Sequence, residues 1–318
     1  MKHKLVCVRR LPPNVAARVR SEFDAVLDDA RDPTLPEALA LMAEHKADAL
    51  LFSSGFRLTA ETIAALPPSV KVAATASVGF DHVDLAAARA RGLVVTNTPE
   101  VLTGCTADMA FTLLLAAARR LGENERLMRN DAWVPRGMGD GLGVRVWGKT
   151  LGIVGMGRIG RAMARRARGF DMNVIYTDLT RIAGEEALFV PTLAEMLPLC
   201  DFLTLHVPLT PQTTNMIDAA ALALLPPRAV VVNASRGGVV DEAALMAALA
   251  SGKVFAAGLD VFATEPRFDA RWIDVPNAIL TPHTASGTIE TRDAMGFRAL
   301  DNIAAVLAGQ PAIDPLWS

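Results

Sequence analysis

The feature that most constrains the fold is a glycine motif set between two apolar runs. The segment TLGIVGMGRIG places Gly155, Gly157 and Gly160 directly after a short apolar run. A helical pattern follows the motif, and a second apolar run at 174–176 is followed closely by Asp178. Strand, glycine turn, helix, strand and terminal acid in this order predict a dinucleotide-binding βαβ unit.

Each glycine has its own steric role in such a unit. Gly155 permits the tight turn after the strand, Gly157 lets a pyrophosphate approach the backbone, and Gly160 lets the helix pack closely on the sheet. The helix offers free N–H groups and the positive end of its dipole to the phosphates. Asp178 lies where a carboxylate accepts hydrogen bonds from an adenosine ribose and repels a 2′-phosphate. NAD(H) is therefore the preferred cofactor, while Arg181, three residues later, leaves NADP(H) open.

Strand and helix patterns alternate along the rest of the chain. Before the motif, strands are predicted at 5–8, 49–52, 70–76 and 93–96, and helices at 14–27, 35–45, 59–66 and 85–91. After it, strands are predicted at 202–207, 229–233, 255–260 and 278–281, and helices at 193–199, 219–225, 242–250 and 289–307. This alternation is typical of parallel sheets covered by helices. The fold class is α/β, with two doubly wound domains: a flavodoxin-like substrate domain and a Rossmann dinucleotide-binding domain, separated by a cleft.

The domain boundaries follow from the last helix, which is expected to return to the first domain. The substrate domain comprises residues 1–99 and 288–318, and the dinucleotide-binding domain comprises residues 100–287. The second domain begins with segment 103–149, which contains a strongly apolar helix at 106–121 and then an extended arm. A helix this apolar must be covered on most sides, so the segment predicts a homodimer interface.

Composition excludes several classes of protein. The net charge of −2 and the pI of about 6.2 give no general attraction to nucleic acid or to an anionic membrane. The widely spaced cysteines Cys7, Cys105 and Cys200 fit a reducing compartment better than a disulfide framework or a zinc site. The sequence shows neither a signal peptide nor an apolar run of membrane-spanning length. A cytoplasmic location is expected.

Three later segments each place a polar side chain just after an apolar run. VVVNASRGGVVDE carries Arg236, AAGLDVFATEP carries Asp260 and Glu265, and NAILTPHTASGT carries His283. In open α/β sheets, ligands bind at this end of the strands. Imidazole titrates near neutral pH and suits acid–base catalysis, while a guanidinium fork suits a carboxylate. The three segments predict an active site.

These segments resemble the signatures of the D-isomer-specific 2-hydroxyacid dehydrogenases. The resemblance runs from SVGFDHVD at 77–84 through the glycine motif to TPHTASGT, and it is closest to the glyoxylate/hydroxypyruvate reductase branch. It implies NAD(P)H-dependent reduction of a small 2-oxoacid to the D-2-hydroxyacid. By this resemblance His283 donates a proton to the ketone oxygen, and Glu265 hydrogen-bonds and orients the histidine. Arg236 binds the substrate carboxylate and polarises the carbonyl.

The resemblance also implies binding residues. Val78 and Gly79 match a loop whose N–H groups hold the substrate carboxylate, together with Arg236 and His283. The implied cofactor contacts are Thr106, Gly155, Gly157, Arg158, Ile159, Gly160, Asp178, Val207, Pro208, Thr213, Ala234, Ser235, Asp260, His283 and Ser286. Among them, Asp260 would meet the nicotinamide carboxamide. No metal is expected, because hydride transfer needs none and the acids of SVGFDHVD suit helix capping.

Two alternatives stay open at this point. The first is an enzyme of the same family acting on another substrate, such as 2-ketogluconate, formate or phosphite. Phosphoglycerate enzymes of the family commonly carry an added regulatory domain, which is not expected in this chain. The second is a corepressor-like module that senses NAD. Such proteins usually have tails for partner peptides, whereas this chain is expected to begin near its first strand and to end soon after its last helix.

Overall fold

The structure is a computed structural model that describes residues 2–317. Two compact units make up the chain. One reaches from the N-terminal region to Leu102 and resumes at Gly287, and the other is Thr103–Ser286. Residues 100–102 and Gly287 therefore belong to the first unit rather than to the second.

The first unit contains a five-stranded parallel sheet. Its strands are β1 (Lys4–Cys7), β2 (Asp24–Val26), β3 (Ala49–Phe52), β4 (Val72–Thr75) and β5 (Val94–Thr96). Their order is β2-β1-β3-β4-β5, which is the flavodoxin-like order. Strands β3 and β4 are apolar along almost their whole length because both of their faces are buried.

Helices cover this sheet. They are α1 (Pro13–Glu22), α2 (Leu35–His45), α3 (Ala60–Ala65), α4 (Leu85–Arg91) and the C-terminal helix Ile289–Leu307. The predicted helix at 14–27 is wrong in its last part, because α1 ends at Glu22 and Phe23 has an extended backbone. The following residues instead pair with β1 as edge strand β2. Pairing with a sheet edge has overridden the local helical pattern.

The second unit contains a seven-stranded parallel sheet. Its strands are β6 (Thr150–Val154), β7 (Asn173–Thr177), β8 (Leu188–Phe189), β9 (Phe202–Leu205), β10 (Ala229–Asn233), β11 (Val254–Leu259) and β12 (Ala278–Leu280). The order is β12-β11-β10-β9-β6-β7-β8. Counted from β6, this is the Rossmann order with one further strand, β12, at the edge. The direction of winding reverses between β6 and β9, where ligands bind in such sheets.

The helices of the second unit include the predicted apolar helix. They are α5 (Thr103–Ala118), α6 (Leu121–Arg129), α7 (Arg158–Arg168), α8 (Leu193–Met196), α9 (Ala219–Leu224) and α10 (Glu242–Ala250). Helix α5 packs closely on β11, since a Cβ at Gly258 would lie 2.8 Å from the Cβ of Leu113. The sheet of the same unit thus covers a face of this helix. Among the described residues, no helix combines the length and apolar character needed to span a lipid bilayer.

The arm predicted to be extended over 122–149 begins instead with a helix. None of the residues of helix α6 is buried, and Arg129 pairs with Glu125 one turn earlier. Ion pairs at this spacing stabilise a helix that buries little apolar surface. From residue 130 to residue 149 the chain follows an irregular course and exposes several large apolar side chains.

Candidate active site

The glycine turn after β6 has the geometry that its spacing predicts. Gly155 has φ +91°, and a Cβ there would lie 2.7 Å from the carbonyl oxygen of His206. A Cβ at Gly160 would lie 2.1 Å from the carbonyl oxygen of Gly155. At Gly157, by contrast, no described heavy atom lies within 4 Å of the added Cβ, neighbouring residues aside. Packing requires the first and third glycines, and the middle glycine borders open space of the kind a phosphate needs.

The first turn of α7 adds N–H donors to this open space. The N-cap residue is Gly157, which has no side chain to accept hydrogen bonds from the helix. The first helical residues are Arg158, Ile159 and Gly160. Their N–H groups belong to the uncapped positive end of an eleven-residue helix. These residues fit the pyrophosphate of a dinucleotide.

Asp178 connects the end of β7 to the glycine turn. Its Oδ2 accepts a hydrogen bond of 2.7 Å from the N–H of Met156, and its Oδ1 accepts one of 2.7 Å from the N–H of Leu179. A carboxylate offers about four acceptor positions, so ribose hydroxyls fit beside these two bonds. Arg181 is exposed nearby in sequence.

The other residues implied to touch the cofactor lie at helix and strand ends. Thr106 is buried in the first turn of α5. Val207 and Pro208 follow β9, the first half-buried and the second exposed. The Oγ1 of Thr213 donates to the carbonyl of Pro208 at 2.6 Å and accepts from the N–H of Thr210 at 2.8 Å. Thr213 thereby closes the turn after β9.

A buried asparagine, which the sequence analysis did not single out, shapes the turn that carries Arg236. The Oδ1 of Asn233 accepts from the N–H of Ser235 at 3.0 Å and from its hydroxyl at 2.8 Å. Its Nδ2 donates to the carbonyl of Arg236 at 2.9 Å. Ala234 is buried between them. An asparagine at the end of an apolar strand was the available signal, because its side chain readily replaces backbone partners in a turn.

His283 and Glu265 form a direct hydrogen bond. Nδ1 of His283 lies 2.6 Å from Oε2 of Glu265, whose Oε1 accepts from the N–H of Phe262 at 2.9 Å. Burial raises the pKa of the Glu265 carboxyl, but these two hydrogen bonds and the charges of His283 and Arg236 outweigh burial and leave the pKa below its ordinary value. The ionised carboxylate only accepts, so Nδ1 carries the proton and Nε2 is left for another partner.

Asp260 holds the loop that carries His283. Its side chain is fully buried. Oδ1 accepts from the hydroxyl of Thr281 at 2.6 Å and from the N–H of Thr284 at 2.8 Å, and Oδ2 accepts from the N–H of Ala285 at 2.8 Å. His283 itself has φ +52°, a left-handed conformation that costs a non-glycine residue about 1–3 kcal/mol. The contact of Asp260 with a carboxamide stays a prediction, as does that of Ser286, half-buried just after the loop.

In the first unit, the loop with Val78 and Gly79 is fixed through its carbonyl groups. The carbonyl of Gly79 accepts a hydrogen bond of 2.8 Å from the hydroxyl of Ser77. The carbonyl of Val78 accepts one of 2.8 Å from Nδ2 of Asn97. The carbonyl of Ser77 accepts one of 2.9 Å from the N–H of Thr98. Within residues 2–317, no chain acceptor receives the N–H groups of Val78 and Gly79. Two donors on a fixed loop are suited to an anion.

The polar residues of SVGFDHVD have partners within the chain. Asp84 caps α4 by accepting from the N–H of Ala87 at 2.9 Å. His82 is buried, with Nε2 lying 3.1 Å from the hydroxyl of Thr75. Over the described part of the chain, no group of three or more His, Cys, Asp and Glu side chains is placed to hold a metal ion.

Known proteins share both the sequence and the fold of this chain. Residues 111–285 match the model of the D-isomer specific 2-hydroxyacid dehydrogenase, NAD binding domain. The chain is 40% identical to the glyoxylate reductase of Thermococcus onnurineus, over 98% of this chain and 94% of that protein. The chain belongs to this family. The chain has two α/β units with parallel sheets and superimposes on solved structures of relatives, which confirms the predicted fold class.

Further relatives of this chain are found among protein sequences and among solved structures. The glycerate dehydrogenase of Hyphomicrobium methylovorum is 38% identical over 97% of each chain. A 2-hydroxyacid dehydrogenase of Polaromonas superimposes with a TM-score of 0.93 at 39% identity, covering 99% of this chain and 100% of that one. The NADPH-dependent glyoxylate/hydroxypyruvate reductase of Sinorhizobium meliloti, bound to NADP and malonate, gives 0.87 at 34% identity, covering 100% and 97%.

Proposed function

We propose that this chain catalyses the NAD(P)H-dependent reduction of glyoxylate or hydroxypyruvate to the D-2-hydroxyacid. The observation that carries the proposal is the 2.6 Å hydrogen bond between His283 Nδ1 and Glu265 Oε2 in a unit with the dinucleotide glycine turn. The names of the relatives, glyoxylate reductase and glycerate dehydrogenase, support a small 2-oxoacid as substrate.

In this reaction the protein supplies the proton and holds the substrate. A bound nicotinamide supplies the hydride to the carbonyl carbon. Nε2 of His283 gives its proton to the carbonyl oxygen, which becomes the hydroxyl group of the product. Glu265 stays ionised and stabilises the imidazolium before transfer, since its pKa is lowered. The guanidinium of Arg236 binds the substrate carboxylate and polarises the carbonyl.

The cofactor is assigned to N–H donors of α7 and to the Asp178 carboxylate, and the substrate carboxylate is assigned to N–H donors of the first unit. The first turn of α7 would bind the pyrophosphate, and Asp178 would bind the adenosine ribose and favour NAD(H) over NADP(H). The N–H groups of Val78 and Gly79 would bind the carboxylate. The reductase of Sinorhizobium meliloti was solved with NADP bound, and NADP(H) is therefore the alternative cofactor in this proposal.

We further propose a homodimer in a reducing, cytoplasmic compartment. The irregular segment 130–149 exposes large apolar side chains, among them Trp133 and Met138, which need a cover. The three cysteines are free thiols. In this proposal the first unit is the substrate domain and the second unit is the cofactor domain.

The test is NADH consumption by the purified protein against a panel of 2-oxoacids, repeated with NADPH. Glyoxylate, hydroxypyruvate and 2-ketogluconate are offered in one direction, and formate and phosphite with NAD in the other. His283→Gln should lower kcat on the order of 10²- to 10⁴-fold while NADH still binds. Glu195→Gln, an exposed glutamate of α8, is the matched control and should leave turnover unchanged. Wild-type turnover in the His283 variant would refute the mechanism.

A further inference from the structure

The carboxylate of Glu242 joins two separate parts of the second unit. Its Oε1 accepts a hydrogen bond of 2.6 Å from the N–H of Ala263, and its Oε2 accepts one of 2.9 Å from Nε1 of Trp272. Glu242 is the first residue of α10, but the capping of that helix is done by Asp241, which accepts from the N–H of Ala244 at 3.0 Å. The Glu242 carboxylate therefore serves contacts outside its own helix.

One of these contacts is in the loop that presents Glu265. The N–H of Phe262 is bound by Glu265 and the next N–H, that of Ala263, by Glu242. Two carboxylates thus hold two consecutive peptide groups after β11. Because Ala263 is only two residues before Glu265, the bond to Glu242 restricts where the Glu265 carboxylate lies.

The same loop is confined from a second side. A Cβ at Gly237 would lie 1.9 Å from the carbonyl carbon of Phe262, so the backbone beside Arg236 packs directly on the loop. The short segment from Arg236 to Glu242 therefore contacts the loop at both of its ends. Any displacement of the loop must break the contact with Glu242 or move the segment that carries Arg236.

Trp272 makes Glu242 a rigid attachment point. Its side chain is 1% exposed and belongs to the apolar core of the unit. A buried indole N–H requires an acceptor, and Glu242 provides it. The carboxylate is consequently fixed to the core through Trp272 at one oxygen and to the loop through Ala263 at the other.

We propose that Glu242 is a positioning residue for the reduction: it holds the Glu265 loop so that the Glu265 carboxylate stays on Nδ1 of His283. This inference rests on the proposed function. Glu242 touches neither His283 nor the reacting atoms in this role, and it acts through Glu265. Loss of the contact at Ala263 would misplace Glu265, and small misplacements of a catalytic group cost up to about a hundredfold in rate.

The experiment is a double-mutant cycle between Glu242→Gln and Glu265→Gln. In Glu242→Gln an NH2 group replaces one of the two oxygens, and the donor that faces this NH2 group loses its acceptor. Alone, it should lower kcat on the order of ten- to a hundredfold, with KM for the 2-oxoacid and for NADH nearly unchanged. Combined with Glu265→Gln, it should add no further loss, because its effect passes through Glu265.

Two further variants and two folding controls complete the experiment. Glu195→Gln is the matched control in another helix and should keep the wild-type kcat. Thermal unfolding and NADH binding check that each variant is folded. Glu242→Asp keeps both oxygens on a shorter stem, and it replaces Glu242→Gln in the cycle if the latter does not fold.

The outcomes separate this inference from the function on which it rests. A wild-type protein with no turnover contradicts the proposed function and the positioning role together. If the wild type turns over and Glu242→Gln keeps its kcat, the positioning role alone is wrong. Losses that multiply in the double variant also refute it, since they show that Glu242 acts independently of Glu265.

Discussion

At the scale of single residues, the lowered pKa of the Glu265 carboxyl makes the stability of the fold depend on pH in the acidic range. Its pKa in the folded protein lies below the ordinary value near 4.3. A carboxyl with a lowered folded pKa stabilises the protein fully above its unfolded pKa, and loses that contribution as the pH falls through the folded pKa. Glu265 therefore stabilises the fold at neutral pH and not in strong acid.

The corresponding prediction compares wild type with Glu265→Gln. The free energy of unfolding of the wild type should exceed that of the variant at pH 7 by more than in strong acid, below the lowered pKa of Glu265 in the folded protein. Urea denaturation at the two pH values measures this difference. A gap of equal size at both values would show that Glu265 is not ionised with a lowered pKa in the folded protein.

Asp178 carries the choice of cofactor in the proposed function. Asp178→Ser removes the negative charge beside the position of a 2′-phosphate while keeping a short polar side chain. The ratio of kcat/KM for NADH to that for NADPH should fall by about tenfold, equal to about 1.4 kcal/mol. Steady-state kinetics with both cofactors measure it, with Thr180→Ser as the neighbouring control. An unchanged ratio would place the selectivity elsewhere, for example at Arg181.

At the scale of elements, the turn from β6 into α7 offers a matched pair of substitutions. Gly160→Ala places a Cβ 2.1 Å from the carbonyl oxygen of Gly155, so α7 must shift. We expect a loss of about 1–3 kcal/mol in the free energy of unfolding, as for other overpacked sites. Gly157→Ala meets open space at φ −72° and should cost less than about 0.5 kcal/mol.

For NADH affinity we expect the reverse order: Gly157→Ala should lose more affinity than Gly160→Ala. Gly157→Ala puts its methyl group in the space assigned to the pyrophosphate, so NADH affinity should drop although the fold is intact. Denaturant unfolding and NADH titration distinguish the two effects. If Gly157→Ala bound NADH like the wild type, the pyrophosphate could not lie against that residue.

The elements that the sequence predicted well are those with strong local signals. Helices α2 and α4 have the predicted bounds because capping residues fix both of their ends. Helix α2 begins at a capping box formed by Thr34 and Glu37 and ends at Lys46, which has a left-handed backbone. Helix α4 is capped by Asp84 at its start and by Gly92, also left-handed, at its end. Strand β2 was missed because three residues at a sheet edge depend on pairing with β1. Helix α6 was missed because ion pairs rather than an apolar face mark it.

The residues of the candidate site also divide into those that a local sequence motif marks and those that no motif marks. Arg236, Glu265 and His283 stand in motifs just after strands, so a sequence pattern is enough to predict them as site residues. Asn233 and Glu242 were not predicted, because their hydrogen bonds to backbone groups are seen only in the folded chain. Trp272, for example, lies thirty residues from Glu242 in the chain and 2.9 Å from it in the fold.

At the scale of the whole molecule, the exposed apolar side chains of segment 130–149 predict association. Trp133 is 71% exposed and Met138 is 99% exposed. Replacing both with Ser should halve the mass seen by sedimentation if this segment joins two copies. Ile273→Ser, at an apolar residue that is 72% exposed elsewhere in the unit, should leave the mass unchanged. A wild-type protein that sediments as a monomer contradicts the proposed homodimer.

The two units also differ in when they can be completed during synthesis. Thr103–Ser286 is one continuous stretch, whereas the first unit needs the C-terminal helix Ile289–Leu307, which packs on α1 and β4. That helix contributes Ala299, Leu300 and Ile303 to a core that also contains Leu5 and Leu51. On the ribosome, strands β1 to β5 are thus made well before the helix that completes their core. Until then α1 covers this face of the sheet only in part, and the apolar surface left exposed is a place where a chaperone would bind this chain.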